Sequence, residues 1–310
     1  MSGPVTTADA PLDGEDGGDH PPTVEVTESR TSQVGSFTVR RALPRRARRT
    51  VGAWCFVDHM GPLVVTEDEG IDIGPHPHMG LQTVTWLLAG EAVHHDSLGT
   101  EQPIRPGQLN LMTAGHGVSH SEERTGRYRG DVHGVQLWVA QPEGTRHGAP
   151  AFEHHAELPR LELDGGVATV LVGELGGTTS PARRDTDHVG AELVVRTGGA
   201  TVPLQRTSEH ALVVLAGAVA VDGTPTSTGH LAYLGAGRDE CRIVSIEGAT
   251  VLLVGGTPFE DPVLMWWNFV ARTRAEISAA RDQWMRDDGR FGHVASGLDR
   301  IPVGPPPWTA

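Results

Sequence analysis

The sequence contains no lysine, so arginine supplies all 25 basic residues. Schiff-base catalysis and the phosphate-binding lysine of a nucleotide-binding loop are therefore excluded. There are only two cysteines, Cys55 and Cys241, and they are far apart in the chain. This excludes a disulfide framework and a thiolate metal site. No apolar run approaches the ~18 residues of a membrane span, and the N-terminus lacks a basic-then-apolar signal, so we expect a cytoplasmic protein with no membrane contact.

Positive charge is also scarce relative to negative charge: 25 basic residues stand against 39 acidic ones, which gives a formal net charge of −14. Such a surface repels phosphate backbones, so we expect no direct nucleic-acid binding. The segment RRALPRRARR (40–49) is the exception and has two interpretations, a nucleic-acid patch or a solvated strand and turn. Pro44 interrupts any helix there and the rest of the chain is acidic, so we favour the solvated strand and turn.

Forty glycines and 22 prolines favour short strands joined by many turns. Stretches such as LQTVTWLLAG (81–90), HGVQLWVAQP (133–142) and ATVLLVGG (249–256) predict strands, which recur about every ten residues up to residue 258. The chain is therefore predicted to be all-β, as sandwiches or barrels. One helix is predicted over 273–288, where Thr273 and Glu276 have the spacing of a capping box.

An internal repeat predicts two similar β-domains. LLAGEAVHHDSLG from Leu87 resembles VLAGAVAVDG from Val214, and RPGQLNLMTAG (105–115) resembles STGHLAYLGAG (227–237). The predicted organisation has five parts: a disordered acidic tail (1–32), an N-terminal domain (33–150), a C-terminal domain (151–262), a segment with the helix (263–290) and an extended tail (291–310).

Two short motifs carry the candidate chemistry. GPHPHMG (74–80) contains His76 and His78, and GHGVSHSEE (115–123) contains His120 and Glu122. Residues i and i+2 of a strand face the same side, so each pair can point at one ion. The chain between the pairs has room for about four strands, which would let an antiparallel barrel bring them together.

A single His-x-His is often only a surface or turn feature, but two such pairs in a β-barrel pattern favour a metal site. Nitrogen and oxygen ligands suit Fe(II), Zn, Mn, Ni or Cu, and four of them leave two positions open on a six-coordinate metal. Each imidazole needs a partner for its other N–H. The candidates for this supporting role are Gln82, His95, Glu123 and His133.

Two further histidines are less clear. His116 either lines the site or faces water, and His94 is interpreted as a solvated turn residue. The repeat places Pro203, Gln205, Arg242 and Val244 at the positions of the four ligands, and none of them can replace its counterpart. We therefore predict one metal per chain, in the N-terminal domain.

At these residues the chain resembles the pirin family of the cupin superfamily. The resemblance is carried by FVDHMGP (56–62), PHPHMGLQTVTWLLAGE (75–91), HHDSLG (94–99), RPGQLNLMTAGHGVSHSEE (105–123) and HGVQLWV (133–139), and it extends over roughly residues 33–290. It implies a bicupin, with two antiparallel β-barrels packed face to face and metal only in the first. It also implies His76, His78, His120 and Glu122 as ligands and iron as the usual metal. Many pirins carry Glu where this chain has Gln82, so an acid–base step would fall to Glu122, His116 or His133.

The expected function is a metal-dependent dioxygenase of the quercetin 2,3-dioxygenase type. A small aromatic substrate, flavonol-like or an enediol, would bind at the Fe(II), Glu122 would take its hydroxyl proton, and dioxygen would add to the ring. The resemblance implies an alternative, a non-catalytic redox sensor whose iron state is recognised by a regulatory protein partner. A third interpretation is a metal that only stabilises the barrel.

Overall fold

The computed structural model describes residues 23–35, 37–66, 71–126 and 128–308. Within them the chain forms 26 β-strands and one α-helix. The first twelve strands are β1 (Glu25–Glu28), β2 (Arg30–Val34), β3 (Phe37–Leu43), β4 (Trp54–Val65), β5 (Ile73–His78), β6 (Leu81–Ala89), β7 (Ala92–Asp96), β8 (Glu101–Ile104), β9 (Leu109–Thr113), β10 (Val118–Glu123), β11 (Gly130–Ala140) and β12 (Ala151–His155).

The remaining elements are β13 (Arg160–Leu163), β14 (Gly166–Val172), β15 (Glu174–Leu175), β16 (Thr178–Thr179), β17 (His188–Val195), β18 (Ala200–Pro203), β19 (Glu209–Ala216), β20 (Ala218–Val221), β21 (Thr224–Ser227), β22 (His230–Gly235), β23 (Glu240–Val244), β24 (Ala249–Gly256), β25 (Leu264–Trp266), β26 (Phe269–Ala271) and α1 (Arg274–Arg286). The three quoted strand predictions correspond to β6, β11 and β24 and are confirmed.

The strands form two similar units, as the repeat predicts. The first combines a seven-stranded sheet, β12-β9-β6-β11-β4-β3-β2, with a four-stranded sheet, β5-β10-β7-β8. The second combines β1-β22-β19-β24-β17-β14-β13 with β18-β23-β20-β21. Every ladder between these strands is antiparallel. This is the architecture of two antiparallel barrels, and the all-β bicupin prediction is confirmed.

The two large sheets pack against each other through a shared core. Trp54, Val84 and Leu137 of the first unit meet Leu171 and Val213 of the second, and all five are buried. The indole N–H of Trp54 donates to the carbonyls of Val189, at 3.0 Å, and Gly255, at 3.2 Å. Because both faces of these sheets are covered, β6 is buried over seven consecutive residues and β11 over most of its second half, with little alternation of exposure.

Each large sheet ends on a strand from outside its predicted domain. β1 lies in the predicted tail, yet it pairs with β22 of the second unit from Glu25↔Tyr233 to Glu28↔His230. β12 lies beyond residue 150, yet it pairs with β9 of the first unit. The prediction of disorder is therefore wrong for residues 25–32. The backbone of this polar segment pairs with strands that would otherwise form the edges of the sheets. Residues 1–22 lie outside the described part of the chain.

The predicted helix is confirmed as α1. Thr273 caps it, accepting from the Glu276 amide at 3.2 Å, and Ile277, Ala280 and Trp284 are buried. The helix ends at Arg286, earlier than predicted, because Asp287 adopts the left-handed conformation. The part of the chain described here contains no helix that is both long and apolar enough to span a bilayer.

The chain after α1 is extended and lies against the first barrel. The Ile301 amide donates to the Pro75 carbonyl at 2.9 Å, and the Trp284 indole donates to the Ile301 carbonyl at 2.9 Å. Gly74 is required at this contact, since a Cβ there would lie 2.2 Å from the Asp299 carbonyl oxygen. The final segment is therefore part of the wall around β5.

Candidate metal centre

The two histidine motifs occupy neighbouring antiparallel strands. β10 pairs with β5 so that His120 lies directly opposite His76, and four strands, β6 to β9, separate the two in sequence. The Nε2 atoms of His78 and His120 lie 3.1 Å apart. One ring nitrogen from each of His76, His78 and His120 falls within 4.8 Å of the others. Three imidazoles on two strands thus converge on one point inside the first barrel.

Hydrogen bonds turn the imidazoles so that their Nε2 lone pairs share this point. His76 Nδ1 lies 3.0 Å from the Gly74 carbonyl, and His78 Nδ1 lies 3.0 Å from the Asn268 carbonyl. A carbonyl only accepts, so in each neutral ring the proton is on Nδ1 and Nε2 is bare. This is the tautomer that a metal requires.

His120 is oriented through a second histidine. His120 Nδ1 lies 3.3 Å from His94 Nδ1, and His94 Nε2 lies 3.2 Å from Asp96 Oδ2. Asp96 Oδ1 in turn accepts from the amides of Leu98 and Thr100. With the His94 proton on Nε2 facing the carboxylate, His94 Nδ1 accepts from His120 and leaves His120 Nε2 bare.

Burial keeps the three imidazoles neutral. Loss of hydration lowers the pKa of His76 to about 4 and holds the pKa values of His78 and His120 well below the ordinary histidine value. The neighbouring imidazoles lower the pKa values of His78 and His120 further. All three rings therefore offer lone pairs at neutral pH without losing a proton first.

Glu122 lies beside the imidazole cluster without joining it. It lines the same cavity, is 8 % exposed, and its Oε1 is buried with no hydrogen-bond partner among the described residues. Burial raises the pKa of its carboxyl to about 7. The ladder shifts register here, since His120 faces His76 while Glu122 faces Ile73. A buried carboxylate oxygen without a partner is costly, and a cation would remove that cost. The site thus fits a divalent metal.

The cavity beside the cluster has a volume of about 240 Å³. Phe56 stacks on Trp138 with ring centroids 4.0 Å apart, and Trp138 meets His78 edge-on at 5.1 Å. Next to this aromatic wall, Arg41 and Asp58 form a buried two-point ion pair with bonds of 2.8 and 2.7 Å. The cavity wall is therefore aromatic beside His78 and polar at the Arg41–Asp58 pair.

A two-residue turn in the C-terminal part of the chain lines one part of the cavity. Trp267 and Asn268 connect β25 to β26 and both line the cavity, together with Ile301. Trp267 has φ +52°, a left-handed conformation that costs a residue with a Cβ about 1–2 kcal/mol. The turn is held beside β5 by the Val270 amide, which donates to the Met79 carbonyl at 3.1 Å.

The four residues predicted to support the imidazoles, and His116, a further candidate for the site, do not line the cavity. None of the five is among the described residues that line the cavity: Gln82, His95, His116, Glu123 and His133. His95 and Glu123 face each other at 3.4 Å on the outer side of their strands. His94 performs the role expected of His95, because Ala92, His94 and Asp96 are the inward residues of β7.

The other three also have partners elsewhere. Gln82 donates to Thr113 Oγ1 at 3.0 Å, and His116 bonds the Gly148 carbonyl at 3.1 Å. His133 lies 2.8 Å from His59 at their Nε2 atoms. Cavity residues that the sequence did not single out include Trp267, Asn268 and Ile301, which come from distant segments. Strand alternation could have identified His94, which contacts His120 without lining the cavity.

Comparison with known proteins identifies the family of this chain. The pirin family model matches residues 36–139, and the model of the pirin C-terminal cupin domain matches residues 194–292. The chain belongs to the pirin family. A pirin-like protein of Caulobacter vibrioides is 37 % identical over 268 residues, which cover 84 % of this chain and 92 % of that protein.

Two other relatives of this pirin carry the name of an enzyme. A Pseudomonas aeruginosa protein, provisionally named a quercetin 2,3-dioxygenase, is 44 % identical over 292 residues, covering 93 % of this chain and 92 % of that protein. The crystal structure of a quercetin 2,3-dioxygenase from Acinetobacter baumannii superposes with a TM-score of 0.87 at 42 % identity, covering 91 % of this chain and 95 % of that one. A nickel(II) complex of an Escherichia coli pirin, with a TM-score of 0.63 at 17 % identity, shares the fold.

Proposed function

We propose that this pirin is a metal-dependent dioxygenase of the quercetin 2,3-dioxygenase type. The observation that carries the proposal is the convergence of three bare Nε2 atoms of His76, His78 and His120 at one end of an aromatic-walled cavity. The names of the Pseudomonas and Acinetobacter relatives support the same reaction. Iron(II) is the proposed metal, with zinc, manganese, nickel and copper as alternatives that nitrogen and oxygen ligands also bind.

The residues present suit this chemistry. His76, His78 and His120 would hold the ion, and Glu122 would be either its fourth ligand or a base beside it. A bound divalent metal would supply a Lewis-acidic centre with open positions for a substrate oxygen and dioxygen. The chain has no lysine, and both cysteines are buried, so neither residue type offers an alternative nucleophile for catalysis.

The cavity favours a compact, planar substrate with hydroxyl groups, such as a flavonol-like compound or an enediol. Its volume of about 240 Å³ is slightly below the usual range for drug-sized ligands. The rings of Phe56 and Trp138, which line the cavity, offer apolar surface to an aromatic ring. Arg41 and Asp58 offer a donor and an acceptor to a hydroxyl group farther from the imidazoles.

The proposed reaction needs one proton transfer from the substrate to the chain, and this proton returns to the carboxylate of the product. The Oε1 of Glu122, which has no protein partner, takes the proton of the substrate hydroxyl that binds beside the imidazoles. In 2,3-cleavage of a flavonol both atoms of dioxygen enter the products, the two bonds from C3 to C2 and C4 break, and C3 leaves as carbon monoxide. Dioxygen is the oxidant, so no separate reductant is required.

Incubation of the Fe(II)-loaded protein with quercetin tests the proposal. We expect metal-dependent loss of quercetin absorbance in air, with one dioxygen consumed and one carbon monoxide released per quercetin, and no loss without oxygen. The His76→Ala variant should lack the activity, while His116→Ala, which changes a surface histidine of the same barrel, should retain it. Stoichiometric metal binding with no quercetin loss would contradict the enzyme and favour the redox-sensing alternative.

A further inference from the structure

We propose that the turn Trp267–Asn268 couples recognition of the substrate ring to the orientation of the metal ligand His78. The proposal rests on the proposed function and names a specificity element for it. The two residues act through different groups: the Trp267 indole lines the cavity, and the Asn268 carbonyl accepts from His78 Nδ1 at 3.0 Å.

The conformation of Trp267 is the first observation behind this. Its φ of +52° belongs to the left-handed region, which glycine and asparagine adopt far more readily than tryptophan. Two-residue hairpins of this kind ordinarily carry those small residues. Strained residues of this type cluster at ligand-binding sites, where the surrounding structure holds them in place.

The position of the indole is the second observation. Trp267 shares the cavity lining with Trp138 and with the imidazoles of His76, His78 and His120. It meets Phe269 edge-on, with ring centroids 5.4 Å apart, so its ring is held at a fixed angle. A planar substrate that enters this cavity would therefore contact indole surface contributed by both β11 and the turn.

The connection to the metal site is the third observation. Trp267 and Asn268 are consecutive in a turn of only two residues, because Trp266 pairs with Phe269. The Asn268 carbonyl accepts a hydrogen bond from His78 Nδ1, and this leaves His78 Nε2 bare for the metal. A change in the backbone at Trp267 thus alters the support of His78 directly.

Three substitutions separate the two roles. Trp267→Phe keeps a ring in the cavity, and Trp267→Asn removes the ring but suits the left-handed conformation. Trp267→Val removes the ring and places a β-branched residue in the strained backbone, so it perturbs the carbonyl as well. Trp267→Ala replaces Val if Trp267→Val does not fold, as judged by calorimetry of the metal-free proteins.

Anaerobic calorimetric titration of the Fe(II)-loaded proteins with quercetin tests the ring contact. We expect Trp267→Phe to bind within about twofold of the unsubstituted protein and Trp267→Asn to bind about tenfold more weakly. Equal binding by Trp267→Phe and Trp267→Asn would overturn the ring contact, and so would absence of quercetin binding by the unsubstituted protein. Binding without turnover in air would instead contradict the proposed reaction and leave the ring contact standing.

Competition with a chelator tests the carbonyl without any substrate. We expect Trp267→Asn to hold Fe(II) within about twofold of the unsubstituted protein, and Trp267→Val to hold it about tenfold more weakly. If Trp267→Val and Trp267→Asn hold the metal equally well, the coupling between the turn and His78 is wrong.

Discussion

The Nδ1 atoms of His120 and His94 lie 3.3 Å apart, and His94 is in turn bonded to Asp96. The candidate metal centre is therefore supported by a buried chain of three side chains. His94 also stacks on Phe152 with ring centroids 4.6 Å apart, which fixes its plane. Replacement of His94 would leave the proposed ligand His120 in place while removing the hydrogen bond that orients its ring.

His94→Phe is expected to weaken metal binding about 10- to 100-fold, since it keeps the stacked ring and removes the acceptor for His120. Chelator competition with Fe(II) or Zn(II) measures this. His95→Ala is the matched control, because His95 is the adjacent residue on the outer face of β7 and faces Glu123. Equal losses in the two variants would contradict the support role of His94.

Metal binding is expected to stabilise the first barrel. At a free metal concentration of about 100 times Kd, the free energy of unfolding should rise by about 2.7 kcal/mol, which differential scanning calorimetry detects as a higher Tm. His76→Ala should show no such rise, whereas His147→Ala, which replaces an exposed histidine outside the cluster, should match the unsubstituted protein. A rise in Tm of the His76→Ala protein would mean that the ion binds elsewhere.

Replacing one partner of the buried pair Arg41–Asp58 is expected to lower the free energy of unfolding. Arg41→Met should lower the free energy of unfolding by about 3–5 kcal/mol, because it leaves Asp58 buried without its partner. Arg206–Asp239 is an exposed pair, with side chains 57 % and 71 % exposed, and Arg206→Met should cost less than about 1 kcal/mol. Urea unfolding of metal-free protein measures both. Comparable losses would show that the interior pair is no more important than the surface one.

Acid is expected to destabilise the second barrel through His210. Burial lowers its folded-state pKa to about 4, while an unfolded histidine titrates near 6.5. Below pH 6.5 the unfolded chain therefore binds more protons than the folded chain. The contribution of neutral His210 to the free energy of unfolding is complete above pH 6.5 and is lost as the pH falls toward 4. The loss is about 3 kcal/mol at pH 4. His210→Asn should reduce the fall in stability between pH 7 and pH 4 by that amount, in urea titrations of metal-free protein. An unchanged pH dependence would show that His210 is protonated equally in both states.

The convergence of the three imidazoles could be predicted because the pattern that indicates it is local. His76 and His78 are two residues apart on one strand, and the period of a strand fixes their common side. The same period selects His94 over His95 as the inward residue, whereas the sequence analysis places His94 in a solvated turn. Once the segment around His94 is recognised as a strand that includes Ala92 and Asp96, the inward residues follow.

Other features of the site depend on contacts that no local pattern contains. The register shift between His120 and Glu122 moves the carboxylate relative to the imidazoles, and the spacing of the two residues in the sequence does not show it. Trp267 and Ile301 reach the cavity from more than 180 residues beyond His76. Their arrival depends on how α1 and the segment after it dock, which is a tertiary effect.

The placement of β1 and β12 has a consequence for dissecting the molecule. A fragment cut at residues 33 and 150 would lose β12 and uncover the length of β9, while the complementary fragment would lack β1 and uncover β22. Exposed edge strands of this kind pair with strands of other chains. The separately expressed halves are therefore expected to aggregate more than the intact protein. The pairing of β1 with β22 therefore ties the N-terminal segment to the second barrel, and cuts at residues 33 and 150 do not yield two units with complete sheets.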